Sequence, residues 1–153
     1  MIYNLYVATN HRNLYYSTLK EAIEEHRKGA WRVSRAEKLQ WGSATGISPH
    51  AWNRLNYIET LSKPEIMQRF VERFNLLRRA DIAIMLPPCN DESLLEMGWL
   101  VASSIPTCLF LTSDDVVSPT LNHHLMDAVI TDIGELMDWL DKHYRNFYGE
   151  RIR

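Results

Sequence analysis

One carboxylate stands out for its neighbours. From Leu94 to Ala102 every residue except Glu96 is apolar or glycine (Leu94-Leu95-Glu96-Met97-Gly98-Trp99-Leu100-Val101-Ala102). A helix with apolar residues nearly all round is expected to be packed on most sides. Glu96 then sits about one turn inside it, just past a wholly apolar run, Ile82-Ala83-Ile84-Met85-Leu86. A carboxylate in such a place costs free energy unless something compensates. The free N–H groups and dipole of the helix N-terminus supply part of that compensation. Two readings follow. Ser93-x-x-Glu96 has the spacing of a capping box, in which Ser93 caps the helix and Glu96 reaches back to the Ser93 N–H. Alternatively Glu96 is a working carboxylate. Spacing alone favours the capping box.

Other residues that carry chemistry have equally plain alternatives. Cys89 lies in the loop before this helix and is either a thiol nucleophile or an ordinary free cysteine, with no histidine near it in sequence. Trp99 is one turn from Glu96 and either bounds a pocket or packs in the core. Trp41, Trp52 and Tyr57 can stack on a planar ligand or on one another. His123 and His124 are adjacent, so on a strand they point to opposite faces and do not share a metal. The turn after the first strand has no glycine, which disfavours a dinucleotide site. There is no GxxxxGK[ST], no HExxH and no GxSxG. Two cysteines make neither a zinc set nor a disulfide framework. No metal or cofactor is expected.

These residues need elements to hold them. Ile2–Ala8 reads as a strand, Ser17–Lys28 as a helix with Ser17 as its cap and Gly29 as its stop, and 31–36 as a short strand. Residues 38–62 show no period and read as an irregular binding loop or a surface loop. Pro64–Ala80 is the clearest helix, with Ile66, Phe70, Phe74 and Leu77 on one face. Ile82–Leu86 reads as a strand buried on both faces. Glu92–Ser103 is a helix, Pro106–Thr112 a strand, Asp127–Thr131 a short strand, and Asp132–Tyr144 a helix with Ile133, Leu136, Met137 and Leu140 inward. Strands alternate with helices. The predicted fold is therefore α/β: three layers, flavodoxin- or Rossmann-like, with a five-stranded mainly parallel sheet and helices on both faces. Ligands of such sheets bind beyond the carboxyl ends of the strands.

The 153 residues suit a single domain, 1–153, and the 46% apolar and 24% charged content excludes a disordered tail. Lys and Arg number 17 against 19 Asp and Glu, a balance of −2, so no basic excess points to a nucleic-acid polymer. No leader or 18-residue apolar run is present, so a cytoplasmic protein without a membrane span is expected.

The segment Asp81, Ile82–Leu86, Ser93-x-x-Glu96-Met97-Gly98-Trp99, Pro106 and Thr107–Leu111 resembles the nucleoside 2-deoxyribosyltransferase-like superfamily, which includes deoxyribosyltransferases and nucleoside 5′-monophosphate N-hydrolases. That resemblance implies a nucleoside or nucleotide as small-molecule partner, no cofactor, and self-association into a homo-oligomer. By it Glu96 matches the catalytic nucleophile, and Asn90, Asp91 and Ser93 match residues that hold the sugar hydroxyl or 5′-phosphate. Thr9, Asn10 and Arg12 in the first-strand turn would line the same pocket, with Trp99 at its boundary. The pattern departs from the superfamily in places. Asn90 stands where the transferases carry an Asp, and Ile105 where a Lys precedes Pro106. A non-catalytic nucleotide-binding or sensor module of the same fold is the alternative those departures suggest.

Overall fold

A computed structural model describes residues 1–37, 53–112 and 125–152. The chain runs β1 (Tyr3–Ala8), α1 (Tyr15–His26), β2 (Trp31–Ser34), α2 (Arg54–Leu61), α3 (Pro64–Arg78), β3 (Ile82–Met85), α4 (Asp91–Ala102), β4 (Thr107–Phe110), β5 (Ala128–Ile130) and α5 (Ile133–Ile152). It forms two compact units, one of residues 1–35 and 80–153, the other of residues 36–79.

The first unit is built on one five-stranded sheet in the order β2-β1-β3-β4-β5, with each neighbouring pair parallel. This is the expected α/β architecture with every strand parallel. Parallel strands buried on both faces need apolar runs rather than alternation. Ile82–Met85 and Thr107–Phe110 meet that need and are buried throughout. Side chains of successive strand residues point to opposite faces. Tyr3, Leu5, Val7, Ile82, Ile84, Cys108 and Phe110 face one way and join Leu19 and Ile23 of α1 and Leu136 and Leu140 of α5 in one core. Helix α4 packs on the other face, against β1, β3 and β4. Burial pushes the Cys108 thiol up to about 12, which leaves it unreactive at neutral pH.

An aromatic group closes the core beneath α5. The Tyr3 ring lies 5.4 Å from Tyr144 and 5.2 Å from Phe147. Phe147 is partly buried against this core. The free side of β2 is covered by α1: the Val33 N–H donates to Glu24 Oε1 at 3.3 Å and Lys20 Nζ donates to the Val33 carbonyl at 2.9 Å. A blunted edge of this kind discourages strand addition by another chain.

Asp141 ties α5 to the end of α1, accepting from His26 Nε2 at 3.0 Å and from Arg27 Nε at 3.1 Å. Burial pushes the Asp141 carboxyl up, but the hydrogen bonds from His26 and Arg27 and the nearby positive charge outweigh it, so its pKa lies below the ordinary value. A depressed carboxyl pKa contributes stability above the unfolded value of 3.8 that is lost as pH falls through the folded value. Asp141→Asn is expected to lower stability by about 1 kcal/mol at pH 7, the scale of a partly exposed pair, and to flatten the acid side of the stability curve. Urea denaturation at a series of pH values measures both.

The second unit contains α2 and α3. The Asn53 side chain accepts from the N–H groups of Leu55 and Asn56, and Asn56 returns a bond to the Asn53 N–H, a capping box that starts α2. The absence of a period over 38–62 therefore misread residues 54–61, because an eight-residue helix specified by its cap has little room for an apolar stripe. Residues 38–52, with Trp41 and Trp52, lie outside the described residues, as do His123 and His124. Pro64 occupies the first turn of α3 as expected. Ile66 and Leu77 are buried, but Phe70 is 59% exposed and stacks on Phe74 at 5.8 Å.

Two further boundaries differ from expectation. Helix α1 starts at Tyr15, and Ser17 lies inside it rather than at its cap; Asn13 Oδ1 accepts from the Tyr15 N–H instead. Gly29 adopts a φ of 75° in the turn that follows, a conformation glycine enters without steric cost. Helix α5 extends to Ile152, and Ile133, expected to face inward, is exposed at its first turn while Leu136, Met137 and Leu140 are buried.

Candidate functional site

With β1 flanked by β2 and β3, the chain reverses its direction of travel across the sheet between β1 and β3. Parallel α/β sheets open a crevice at the carboxyl ends of the strands at such a point. The loops leaving those two strands are stitched together. Thr9 Oγ1 donates to the Leu86 carbonyl at 2.6 Å, and the Asn10 N–H donates to the Pro88 carbonyl at 2.9 Å. Asn13 Nδ2 reaches Thr9 Oγ1 at 2.9 Å and the Pro87 carbonyl at 3.0 Å. Backbone carbonyls just beyond a parallel strand have no ladder partner, so polar side chains must satisfy them. Thr9 and Asn13 do this, which makes the Thr9 hydroxyl part of the clamp between the loops. Asn10 Oδ1 accepts from the Arg12 N–H at 3.0 Å and shapes the same turn, while the Arg12 side chain is exposed.

Helix α4 leaves the β3 loop at this switch point. Its cap is Asn90, whose Oδ1 accepts from the Ser93 N–H at 2.9 Å and from Ser93 Oγ at 2.8 Å. The capping box predicted for Ser93 and Glu96 is therefore not formed. Asn favours the cap position at least as strongly as Ser. It takes the place three residues earlier and leaves Ser93 buried in the first turn. Asn90→Ala is expected to lower stability by about 1 kcal/mol, measured by thermal or urea denaturation. At the other end Ile105 N–H bonds to the Leu100 carbonyl at 3.1 Å and Ser104 N–H to the Val101 carbonyl at 3.0 Å. This pairing is a Schellman motif, in which the left-handed position is usually glycine. Ser104 occupies it with a φ of 59°. Ser104→Gly is expected to raise stability by roughly 1 kcal/mol, read as an increase in Tm.

Glu96 turns toward the sheet. It is 7% exposed, and Tyr6 Oη donates to its Oε2 at 2.6 Å. That distance is typical of a hydroxyl bonded to a carboxylate, a charge-assisted bond. Tyr6 is 1% exposed and points to the α4 face because Leu5 and Val7, its neighbours along β1, point to the other. Ninety residues of sequence separate the partners. Sequence reasoning missed Tyr6; the one available signal was a polar-tipped residue among apolar ones near the carboxyl end of a buried strand. The resulting arrangement, a carboxylate shielded from bulk water and braced by a phenol at the mouth of the sheet, can attack or stabilise an electron-poor carbon.

The remaining expected residues are placed as follows. Asp91 and Glu92 lie exposed in the first turn of α4. Trp99 is half-buried three residues beyond Glu96. Cys89 Sγ lies 3.8 Å from the Ala8 carbonyl, in the same clamp. Asp81 accepts from the Asn4 N–H at 2.8 Å and braces the starts of β1 and β3. Packing of α4 on most sides is not observed: Leu94 is 52% and Leu95 76% exposed, because the helix meets the sheet along only the stripe of Ser93, Glu96, Met97 and Leu100. Among the described residues no helix is long and apolar enough to cross a membrane.

No protein-family model matches the chain, and no curated protein does. Among solved structures, that of the Clostridium botulinum CMP N-glycosidase BcmB is similar, with 15% sequence identity, a TM-score of 0.49, and coverage of 90% of this chain and 98% of that one.

Proposed function

We propose that this protein cleaves or transfers the N-glycosidic bond of nucleosides, deoxynucleosides or their 5′-monophosphates, with Glu96 as nucleophile. The observation that carries the reading is the Glu96 carboxylate itself: nearly buried and held by Tyr6 on the α4 face of β1. The superfamily resemblance over residues 81–111 supports it. A buried carboxylate is costly to maintain, and displacement at a sugar C1′ is chemistry that uses one. In the first step a Glu96 oxygen bonds to C1′ as the C1′–N bond breaks, and the bonding pair leaves with the base, which takes up a proton. In the second, water or another base attacks C1′, the ester bond to Glu96 breaks, and the attacking group loses its proton. Water gives hydrolysis and a base gives transfer. Thr9, Asn10, Arg12, Asn90, Asp91, Ser93 and Trp99 are the residues that would surround the substrate in this reading.

One observation favours the non-catalytic alternative. Asn90 Oδ1 and the Ser93 hydroxyl, expected to contact the sugar or phosphate, are bonded to each other. Incubation with ribo- and deoxyribonucleosides and their 5′-monophosphates, with and without an added free base, separates the readings. Free or exchanged base on chromatography supports the enzyme. Ligand-induced thermal stabilisation without base release supports the binding module.

A further inference from the structure

A single buried amide joins three segments that meet at the β1/β3 switch point. Asn13 stands between the turn that leaves β1 and the start of α1, and it is 9% exposed. Its Nδ2 donates to Thr9 Oγ1 at 2.9 Å in the β1 turn, and to the carbonyls of Leu86 at 3.3 Å and Pro87 at 3.0 Å in the β3 loop. Its Oδ1 accepts from the N–H of Tyr15, the first residue of α1, at 3.0 Å. The direction of the amide is set by these neighbours: oxygens surround one end and an N–H meets the other. A buried amide costs free energy unless its hydrogen bonds are made, and here both ends are used. The Asn10 N–H adds a backbone bond to the Pro88 carbonyl at 2.9 Å, so the two loops are tied twice. The turn on one side carries Thr9, Asn10 and Arg12, and the loop on the other leads to Asn90, Asp91 and Ser93.

From this placement we infer that Asn13 is a positioning residue for the substrate: it fixes the spacing between the two loops that hold the ligand, acting through Thr9 and the Leu86 and Pro87 carbonyls rather than on the ligand itself. The inference rests on the glycosidic reading above and adds a residue to it. Glu96 is held separately, by Tyr6 of β1. Loss of the Asn13 clamp therefore leaves the nucleophile braced and loosens the walls around the substrate, so its signature is a change in KM larger than the change in kcat.

Asn13→Asp separates this role from the start of α1. The carboxylate keeps the size of the side chain and an acceptor for the Tyr15 N–H, but it has no hydrogen to give and faces the Leu86 and Pro87 carbonyls. The test uses the full chain and whichever nucleoside or 5′-monophosphate releases base fastest. KM is expected to rise about tenfold or more while kcat falls less than about threefold. The excess in KM over the parent should shrink as pH is lowered, because a protonated carboxyl regains one donor. Amide hydrogen exchange gives a readout apart from turnover: the Asn10 N–H should exchange about tenfold faster or more, and the Tyr15 N–H should keep its protection. Asn13→Ser, a good cap whose hydroxyl ends short of the second loop, serves if the aspartate variant folds poorly. A role confined to folding would lower the fraction of active protein, and so kcat, at unchanged KM. An unmoved KM in a folded Asn13 variant, or an Asn10 N–H as protected as in the parent, overturns the inference and leaves the glycosidic reading intact. Release of base from no substrate by the parent protein overturns that reading, and the inference with it.

Discussion

Glu96→Gln is expected to reduce base release by at least about a thousandfold, because an amide oxygen cannot form the covalent bond to C1′ proposed for the carboxylate. The fold should survive. Gln retains an oxygen that accepts from Tyr6 Oη, now at 2.6 Å from Glu96 Oε2, and it removes a nearly buried charge. Stability is therefore expected to stay level or rise, the pattern seen when a strained functional group is replaced. The two readouts, turnover by chromatography and Tm by calorimetry, separate the roles. A Glu96 that served only the fold would give lower stability and no specific loss of turnover. Activity within tenfold of the parent in the Gln variant would remove Glu96 from the nucleophile role.

Tyr6→Phe is the second large effect. The ring fills the same space on the α4 face of β1, but the hydroxyl that holds Oε2 is gone. A buried acceptor that loses its donor costs about 1–3 kcal/mol. Part of that should appear as lower thermal stability. The rest should appear as misplacement of the carboxylate, since a nucleophile displaced by a fraction of an ångström loses much of its advantage. A fall in kcat of about ten- to a hundredfold with KM changed less than about threefold is the outcome expected of a positioning residue. Tyr6 makes its bond to Glu96 and not to the reacting bond, so substrate affinity should be nearly retained. An unchanged kcat in a folded Tyr6→Phe protein would show that the carboxylate is held well enough without it.

The elements that hold this pair were legible to different degrees. The buried runs Ile82–Met85 and Thr107–Phe110 announce a parallel sheet because nothing polar interrupts them. Pro64 marks the start of α3 because only a first turn tolerates a proline without loss of a hydrogen bond. Cap choice was not legible. Asn90 and Ser93 both suit the position, and the geometry of the loop after Leu86 decides between them. Helix α2 escaped notice for the opposite reason: its start is encoded in the Asn53 and Asn56 side chains rather than in any apolar repeat. Phe70 shows the limit of periodicity, which counts residues on a face without knowing how much of that face meets another surface.

The amino-acid sequence by itself determined that strands alternate with helices and that those strands are buried on both faces. It also determined that a single carboxylate would interrupt an apolar helix just past one of them. These are local facts, set by hydrophobic period and by the cost of placing charge among apolar neighbours. What Glu96 does there was decided only by tertiary structure. Spacing along the chain offered it the Ser93 N–H, and the fold supplied the Tyr6 hydroxyl from a strand ninety residues away. That partnership depends on α4 crossing β1 on the face opposite α1 and α5, and on the parity that turns Tyr6 toward it. A contact of that kind is fixed by the order of strands in the sheet, which no local spacing encodes.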